Sequence, residues 1–232
     1  MPGSKLVAVV EDEVGIRDNY LAALRRQGYR VAGFSGRKEA LQAFEGRLPD
    51  LVIIDINLGN EVEGGFDLCR ELRARSASLP IIFLTARESD LDVVSGLRLG
   101  ADDYVTKRTS LEHLLARVAA LFRRLEALRT STEESERLEQ GSLTLDRDRM
   151  SVQWKGAAVP LTLTEFWVVH ALAQHPGHVR NREQLMAAAN VVLDDGTVTS
   201  QIKRIRAKFT ALDPSFDAIQ TVYGMGYRWK AD

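Results

Sequence analysis

Cysteine is nearly missing from this sequence. Cys69 is the single one among 232 residues, which excludes an internal disulfide framework and any multi-cysteine metal site. It lies in the apolar-periodic stretch Phe66, Leu68, Cys69, Leu72, so the expected reading is a buried helical thiol without a reactive role. Long hydrophobic runs are missing too, and none approaches the ~20 residues that a membrane span needs. Met1-Pro2-Gly3-Ser4-Lys5 leads into a short apolar run with neither a charged leader nor a cleavage pattern. The expectation is a cytoplasmic protein with no membrane partner. An excess of charge is lacking as well: 31 Lys and Arg stand against 32 Asp and Glu. Any basic surface that meets nucleic acid must therefore be local.

What is present is a clear alternation in the first half. Short β-rich runs at Leu6–Val10, Arg30–Phe34, Leu51–Ile54, Ile81–Leu84 and Tyr104–Val105 are separated by apolar residues at helical spacing. These include Ile16/Tyr20/Leu24, Ala40/Leu41/Phe44, Val94/Leu97 and the regular stripe Leu111/Leu114/Leu115/Val118/Leu121/Phe122. Such alternation predicts an α/β fold: a doubly wound, five-stranded parallel sheet covered by helices on both faces. From Arg123 to Gln140 the composition turns to Glu, Arg, Ser and Thr, as an exposed linker would. Strand-like alternation at Leu143–Leu145, Ser151–Trp154 and Val159–Leu161 follows, then helical patterns at Thr164–Gln174, Arg182–Ala189 and Thr197–Thr210, then two short strands around Tyr223–Gly226. The expected domains are 1–125, a linker at 126–138, and 139–232.

In a doubly wound sheet, functional groups gather at the carboxyl ends of the strands. Those ends carry Glu11 and Asp12, Asp55, Thr85 and Lys107, each placed just after an apolar run. Three converging carboxylates repel one another unless a cation neutralises them. Mg²⁺ suits the task, because it takes few carboxylates and keeps places for phosphate oxygens. Lys107 adds a positive charge suited to a phosphoryl group, and the fitting chemistry is phosphoryl transfer.

The segments Val-Val-Glu11-Asp12-Glu, Val-Ile-Ile-Asp55, Leu-Thr85-Ala and Leu-Gly-Ala-Asp-Asp-Tyr104-Val-Thr-Lys107 resemble the receiver domains of two-component response regulators. The resemblance implies that Asp55 accepts a phosphoryl group from a sensor histidine kinase. It implies Mg²⁺ ligation by Asp12 and Asp55, with Glu11 acting through water and Asn57 through its carbonyl. Thr85 would close on the phosphoryl oxygens and Tyr104 would change rotamer. It further implies a homodimer formed on activation, with acidic Asp102 and Asp103 meeting basic Arg117 and Arg124 across the interface. Two departures stand out. The Asn57–Gly65 loop is about two residues longer than usual and is expected to be looser, and Arg108 replaces the proline that normally follows the lysine in a cis peptide. A non-proline cis bond costs ~2.5–4 kcal/mol.

In the second half, Ile202, Ile205 and Phe209 form one helical stripe, with Lys203, Arg204, Arg206 and Lys208 beside and opposite it. A helix apolar on one side and basic on the other suits a DNA major groove. Thr199, Ser200, Gln201 and Lys203 are placed to reach bases or phosphates, and the later cations to reach phosphates. The order Leu161-Thr-Leu-Thr-Glu-Phe166, Asn181-Arg-Glu-Gln-Leu185, the basic helix and Thr221-Val-Tyr-Gly-Met-Gly-Tyr-Arg-Trp229 resembles the winged helix-turn-helix domain of the OmpR/PhoB-type family. That resemblance makes Tyr223–Met225 the wing tip, with Tyr223 where an Arg is common, and leaves Arg228 a backbone contact.

The reading is a phosphorylation-switched, double-stranded-DNA-binding transcription regulator, with RNA polymerase a further candidate partner, and not an enzyme. A Mg²⁺-dependent phosphatase is the rival from another class. It would need a general acid two residues after Asp55, where Asn57 stands. A regulator that binds DNA without phosphorylation is the third alternative.

Overall fold

The computed structural model describes residues 5–86, 100–127, 137–189 and 195–231, apart from the side chains at 124, 127 and 195–197. The helical pattern at Val94/Leu97 and the middle of the linker lie outside the described residues. The chain divides into two compact units, Met1–Ala119 and Ala120–Asp232.

The first unit alternates β1 (Leu6–Val10), α1 (Val14–Arg26), β2 (Arg30–Phe34), α2 (Arg37–Ala43), β3 (Leu51–Ile54), α3 (Gly64–Arg75), β4 (Ile81–Thr85) and β5 (Asp103–Thr106). The sheet order is β2-β1-β3-β4-β5, and every pairing is parallel. All four residues of β3 and all five of β4 are buried, as an apolar parallel sheet covered on both faces requires. Helix α4 (Leu111–Ala127) buries the stripe Leu114, Val118, Leu121 and Phe122. Cys69 is buried on α3, as its periodicity indicates.

The second unit opens with an antiparallel sheet, β6 (Arg137–Gln140), β7 (Leu143–Asp146), β8 (Ser151–Trp154) and β9 (Ala157–Ala158). Helices α5 (Leu163–Ala173), α6 (Arg182–Ala188) and α7 (Asp195–Leu212) follow, and the hairpin β10 (Ile219–Val222) and β11 (Gly226–Trp229) forms the wing. Strand β6 begins where the sequence reads as linker. Its polar residues pair with β7, and only alternate ones are half-buried. Two capping boxes start the helices: Thr162 with Glu165 at α5, and Asn181 with Gln184 at α6. Each satisfies two otherwise orphaned backbone donors. The core joins Phe166, Leu172, Ile202, Ile205 and Phe209 to the hairpin through Trp229. Phe209 stacks on Phe216 at 4.5 Å between ring centroids.

Candidate phosphoacceptor pocket and nucleic-acid interface

Strand register builds the acidic pocket. Val10 pairs with Ile54 across β1 and β3, so the next residue of each strand, Glu11 and Asp55, emerges side by side at one sheet edge. Asp55 N–H donates to the Val10 carbonyl at 2.9 Å, extending the ladder. Thr85 pairs with Thr106 across β4 and β5, and Lys107 N–H donates to the Thr85 carbonyl at 2.8 Å. Glu11, Asp12 and Asp55 therefore converge, with one carboxylate oxygen of each within 4.8 Å of the others.

Lys107 closes the cluster. Its Nζ is 2.8 Å from Asp55 Oδ2 and 2.8 Å from Glu11 Oε2, and 3.8 Å from Glu13. Burial pushes the Asp55 carboxyl above the usual range, while hydrogen bonds from Lys107 and the backbone N–H groups of Ile56 and Asn57 oppose the shift. Burial likewise raises Glu11, opposed by the Lys107 hydrogen bond and reinforced by repulsion from Asp55. Burial alone would depress the Lys107 ammonium, but hydrogen bonds to Asp55 and Glu11 hold it above its ordinary value. No cis peptide occurs among the described residues, so Lys107 reaches both carboxylates with a trans bond to Arg108. Thr85 is fully buried, and Tyr104 is buried with its ring 6.4 Å from Phe83. Asn57 is exposed at the pocket's mouth.

The extended loop carries contacts of its own. Leu58 and Glu61 exchange backbone hydrogen bonds at 3.1 and 3.0 Å around Gly59, whose φ of 60° favours glycine. Arg37 at the start of α2 then binds Glu61 at 2.7 Å and Glu71 at 2.8 Å, tying the loop to two helices.

Several expected DNA and dimer contacts are redistributed. Thr199 and Lys203 are exposed on α7 and Ser200 is half-buried, as a groove-facing surface needs. Gln201 is corrected: it is 2% exposed, packed at Thr164, Leu185 and Val198, with both amide atoms lacking hydrogen-bond partners among the described residues. It falls three positions after Val198 and four before Ile205, both buried, so helix phase carries it into the core rather than out to bases. Lys208 is half-buried, donating to the Pro160 carbonyl at 2.8 Å and pairing with buried Glu165. Arg204 approaches the same carboxylate at 3.6 Å. Arg206 donates to the Ile219 carbonyl and Thr221 Oγ1, each at 2.9 Å, bracing the wing. Arg228 donates to Gln220 across the hairpin at 3.0 Å. Tyr223 is 93% and Met225 61% exposed at the wing tip. The tip, α6 and α7 frame a groove of about 470 Å³ lined by Asn181, Arg182, Thr199, Thr221 and Tyr223.

Asp102 is corrected as an interface residue: it is fully buried and pairs with Arg73 at 2.8 Å. Asp103 binds Arg117 of its own chain at 2.8 Å, and the Arg124 side chain lies outside the described residues. Sequence reasoning missed Glu165 and Arg37. The Thr162-Leu-Thr-Glu165 spacing is a capping-box signal that could have marked the first, whereas Arg37 meets Glu61 only through the fold.

Fold and pocket define a phosphoacceptor domain coupled to a DNA-binding domain. Residues 7–119 match the response regulator receiver domain, and residues 156–229 match the transcriptional regulatory protein C-terminal domain. The chain is 37% identical to the transcriptional regulatory protein CreB of Escherichia coli over 224 residues, covering 95% of this chain and 96% of that one. It is 39% identical to the transcriptional regulatory protein AfsQ1 of Streptomyces coelicolor over 223 residues, with 95% and 96% covered. Among solved structures, the response regulator DrrB, a Thermotoga maritima OmpR/PhoB homolog, matches at a TM-score of 0.51 and 30% identity, covering 98% of this chain and 100% of that one. A RitR mutant shares the fold at a TM-score of 0.78 and 22% identity, covering 99% and 100%. The chain belongs to the OmpR/PhoB-type response regulators, and it is a phosphorylation-dependent, DNA-binding transcription regulator of a two-component system. No helix among the described residues is long and apolar enough to cross a membrane.

Proposed function

We propose that Asp55 is the phosphoacceptor. The observation that carries this is the placement of its buried carboxylate at the centre of the cluster, hydrogen-bonded to Lys107 at 2.8 Å. An Asp55 oxygen forms a bond to phosphorus as the phosphorus–nitrogen bond of the kinase phosphohistidine breaks, and the electron pair of that bond stays on the imidazole. Lys107 is positioned to turn from the carboxylates to a phosphoryl oxygen, and Thr85 and Tyr104 to register the new group. The donors fit Mg²⁺: all are hard oxygens, and two are buried carboxylates held above their ordinary range. Glu11, Asp12, Asp55 and the Asn57 carbonyl would hold it. When bound, the ion neutralises charge on the carboxylates and phosphoryl oxygens.

In this reading, Thr199, Ser200 and Lys203 face the major groove while Tyr223 and Met225 enter beside it. Phosphorylation promotes a receiver homodimer in which Asp103 and Arg117 exchange their intrachain pair for one across the interface. The work is done in the cytoplasm, with RNA polymerase as a downstream partner. Asn57–Gly65, Asn190–Asp195 and Tyr223–Trp229 further support a role as the regulator of a proteobacterial dedicated sortase system. DNA binding measured with and without Mg²⁺ and a small phosphodonor tests the switch. Tighter binding and a heavier sedimenting species only with both reagents is the expected result, whereas equal binding throughout would leave a phosphorylation-independent regulator.

A further inference from the structure

Two cations of α7 converge on one buried carboxylate. The Glu165 side chain is 1% exposed and sits in the first turn of α5, where Oε2 accepts the Thr162 backbone N–H at 2.9 Å. The same oxygen accepts from Lys208 Nζ, and Lys208 also donates to the Pro160 carbonyl at 2.8 Å. Arg204 Nε lies 3.6 Å from Oε1, with its side chain 16% exposed. Residues 204 and 208 are one turn apart on the same helical face. A single acid thus grips two successive turns of the helix that carries Thr199, Ser200 and Lys203.

A structural ion pair needs only one cation. Here two of the four cations in Lys203–Lys208 are turned inward. A buried carboxylate stripped of its partners is costly, so the two cations cannot both swing to DNA phosphates freely. Phosphate attraction is independent of sequence and dominates non-specific binding. Withdrawing cations therefore weakens binding to random DNA, while fixing the helix preserves contacts that read bases. We infer that Glu165 is a positioning residue for DNA discrimination: it sets the rotation and depth of α7 and holds Arg204 and Lys208 back from indiscriminate phosphate contact. The inference rests on the DNA-binding reading of this unit.

The test uses the full chain, a fragment that the wild-type protein selects from a random DNA pool, and an unselected fragment of equal length. Glu165→Gln keeps the side-chain acceptor of the capping box and removes the charge. The expected result is a folded protein whose ratio of selected to unselected affinity falls about tenfold, with unselected affinity unchanged or higher. Glu165→Asp, which keeps the charge, should recover part of the ratio. A folded Glu165→Gln protein with the wild-type ratio overturns the inference. Should that variant fail to fold, Lys208→Gln decides. A lowered ratio with an unchanged salt dependence supports positioning. Equal losses on both fragments with a salt slope flatter by about one unit make Lys208 a phosphate contact and overturn it. If the wild-type protein selects no fragment at all, the DNA-binding reading fails instead.

Discussion

Lys107 Nζ lies 2.8 Å from Asp55 Oδ2 and 2.8 Å from Glu11 Oε2, one ammonium shared between two buried carboxylates. It occupies the position of charge that a divalent cation would serve, so lysine and metal compete for the same oxygens. Lys107→Gln should therefore tighten Mg²⁺ binding about three- to tenfold at pH 8, the scale of one short-range charge in a partly solvated site, and should slow phosphoryl transfer. Calorimetric titration reads the first effect; unchanged or weaker Mg²⁺ binding would contradict the competition.

Gly65 is where backbone meets backbone behind the pocket. A Cβ there would lie 2.1 Å from the Asp55 carbonyl oxygen and 2.7 Å from Ile56 Cα, and neither atom is a flexible side-chain end. Gly65→Ala should cost roughly 2–4 kcal/mol and reduce phosphodonor labelling by displacing Asp55. Denaturant unfolding with hydrogen exchange at β3 measures the loss, and wild-type stability would show that the two segments part without strain.

Gln201 and Lys203 should behave oppositely. Gln201 is buried without partners for its amide, and such a group costs ~1–3 kcal/mol. Gln201→Leu should leave the protein as stable or more so, with sequence preference intact. Lys203 is exposed, and Lys203→Ala should flatten the salt slope of DNA binding by about one unit. A changed preference in the Gln201 variant would return that residue to the DNA surface.

His170 gives the winged-helix unit an acid-sensitive point. Burial, then the positive charge of Arg147 and the influence of His175, lower its pKa to about 4 from an ordinary 6.5. Above pH 6.5 the ring is neutral folded and unfolded, and stability is complete. Below it the unfolded chain takes up a proton that the folded chain refuses, so stability falls progressively toward pH 4. At ~1.4 kcal/mol per pH unit the ceiling of that loss is roughly 3 kcal/mol. His170→Gln should flatten the stability profile in this window relative to wild type; parallel profiles would place the sensitivity elsewhere.

Strand periodicity and the residues closing each run made the pocket legible, because in-register parallel strands deliver Glu11, Asp55 and Lys107 to one edge. The helix of the DNA-binding unit was legible in its apolar stripe but not in its cations. Spacing places Lys208 off the stripe, yet a lysine stem can run back over the helix end, and only the fold puts Glu165 within its reach. Gln201 misled for a related reason: polarity suggested solvent, while helix phase aligned it with the buried Val198 and Ile205. Loop length suggested looseness at Asn57–Gly65, and the tie supplied by Arg37 comes from 20 or more residues earlier in the chain.

The most direct measurement is phosphodonor labelling of Asp55→Asn beside wild type, with DNA binding followed in the same samples. Removing one of three crowded carboxylates should leave the fold at least as stable. Acid-labile phosphate is expected on the wild-type chain alone, together with phosphodonor-dependent tightening on DNA that the variant lacks. Stoichiometric labelling of a folded Asp55→Asn chain, or equal phosphodonor-dependent tightening of both proteins, would contradict it.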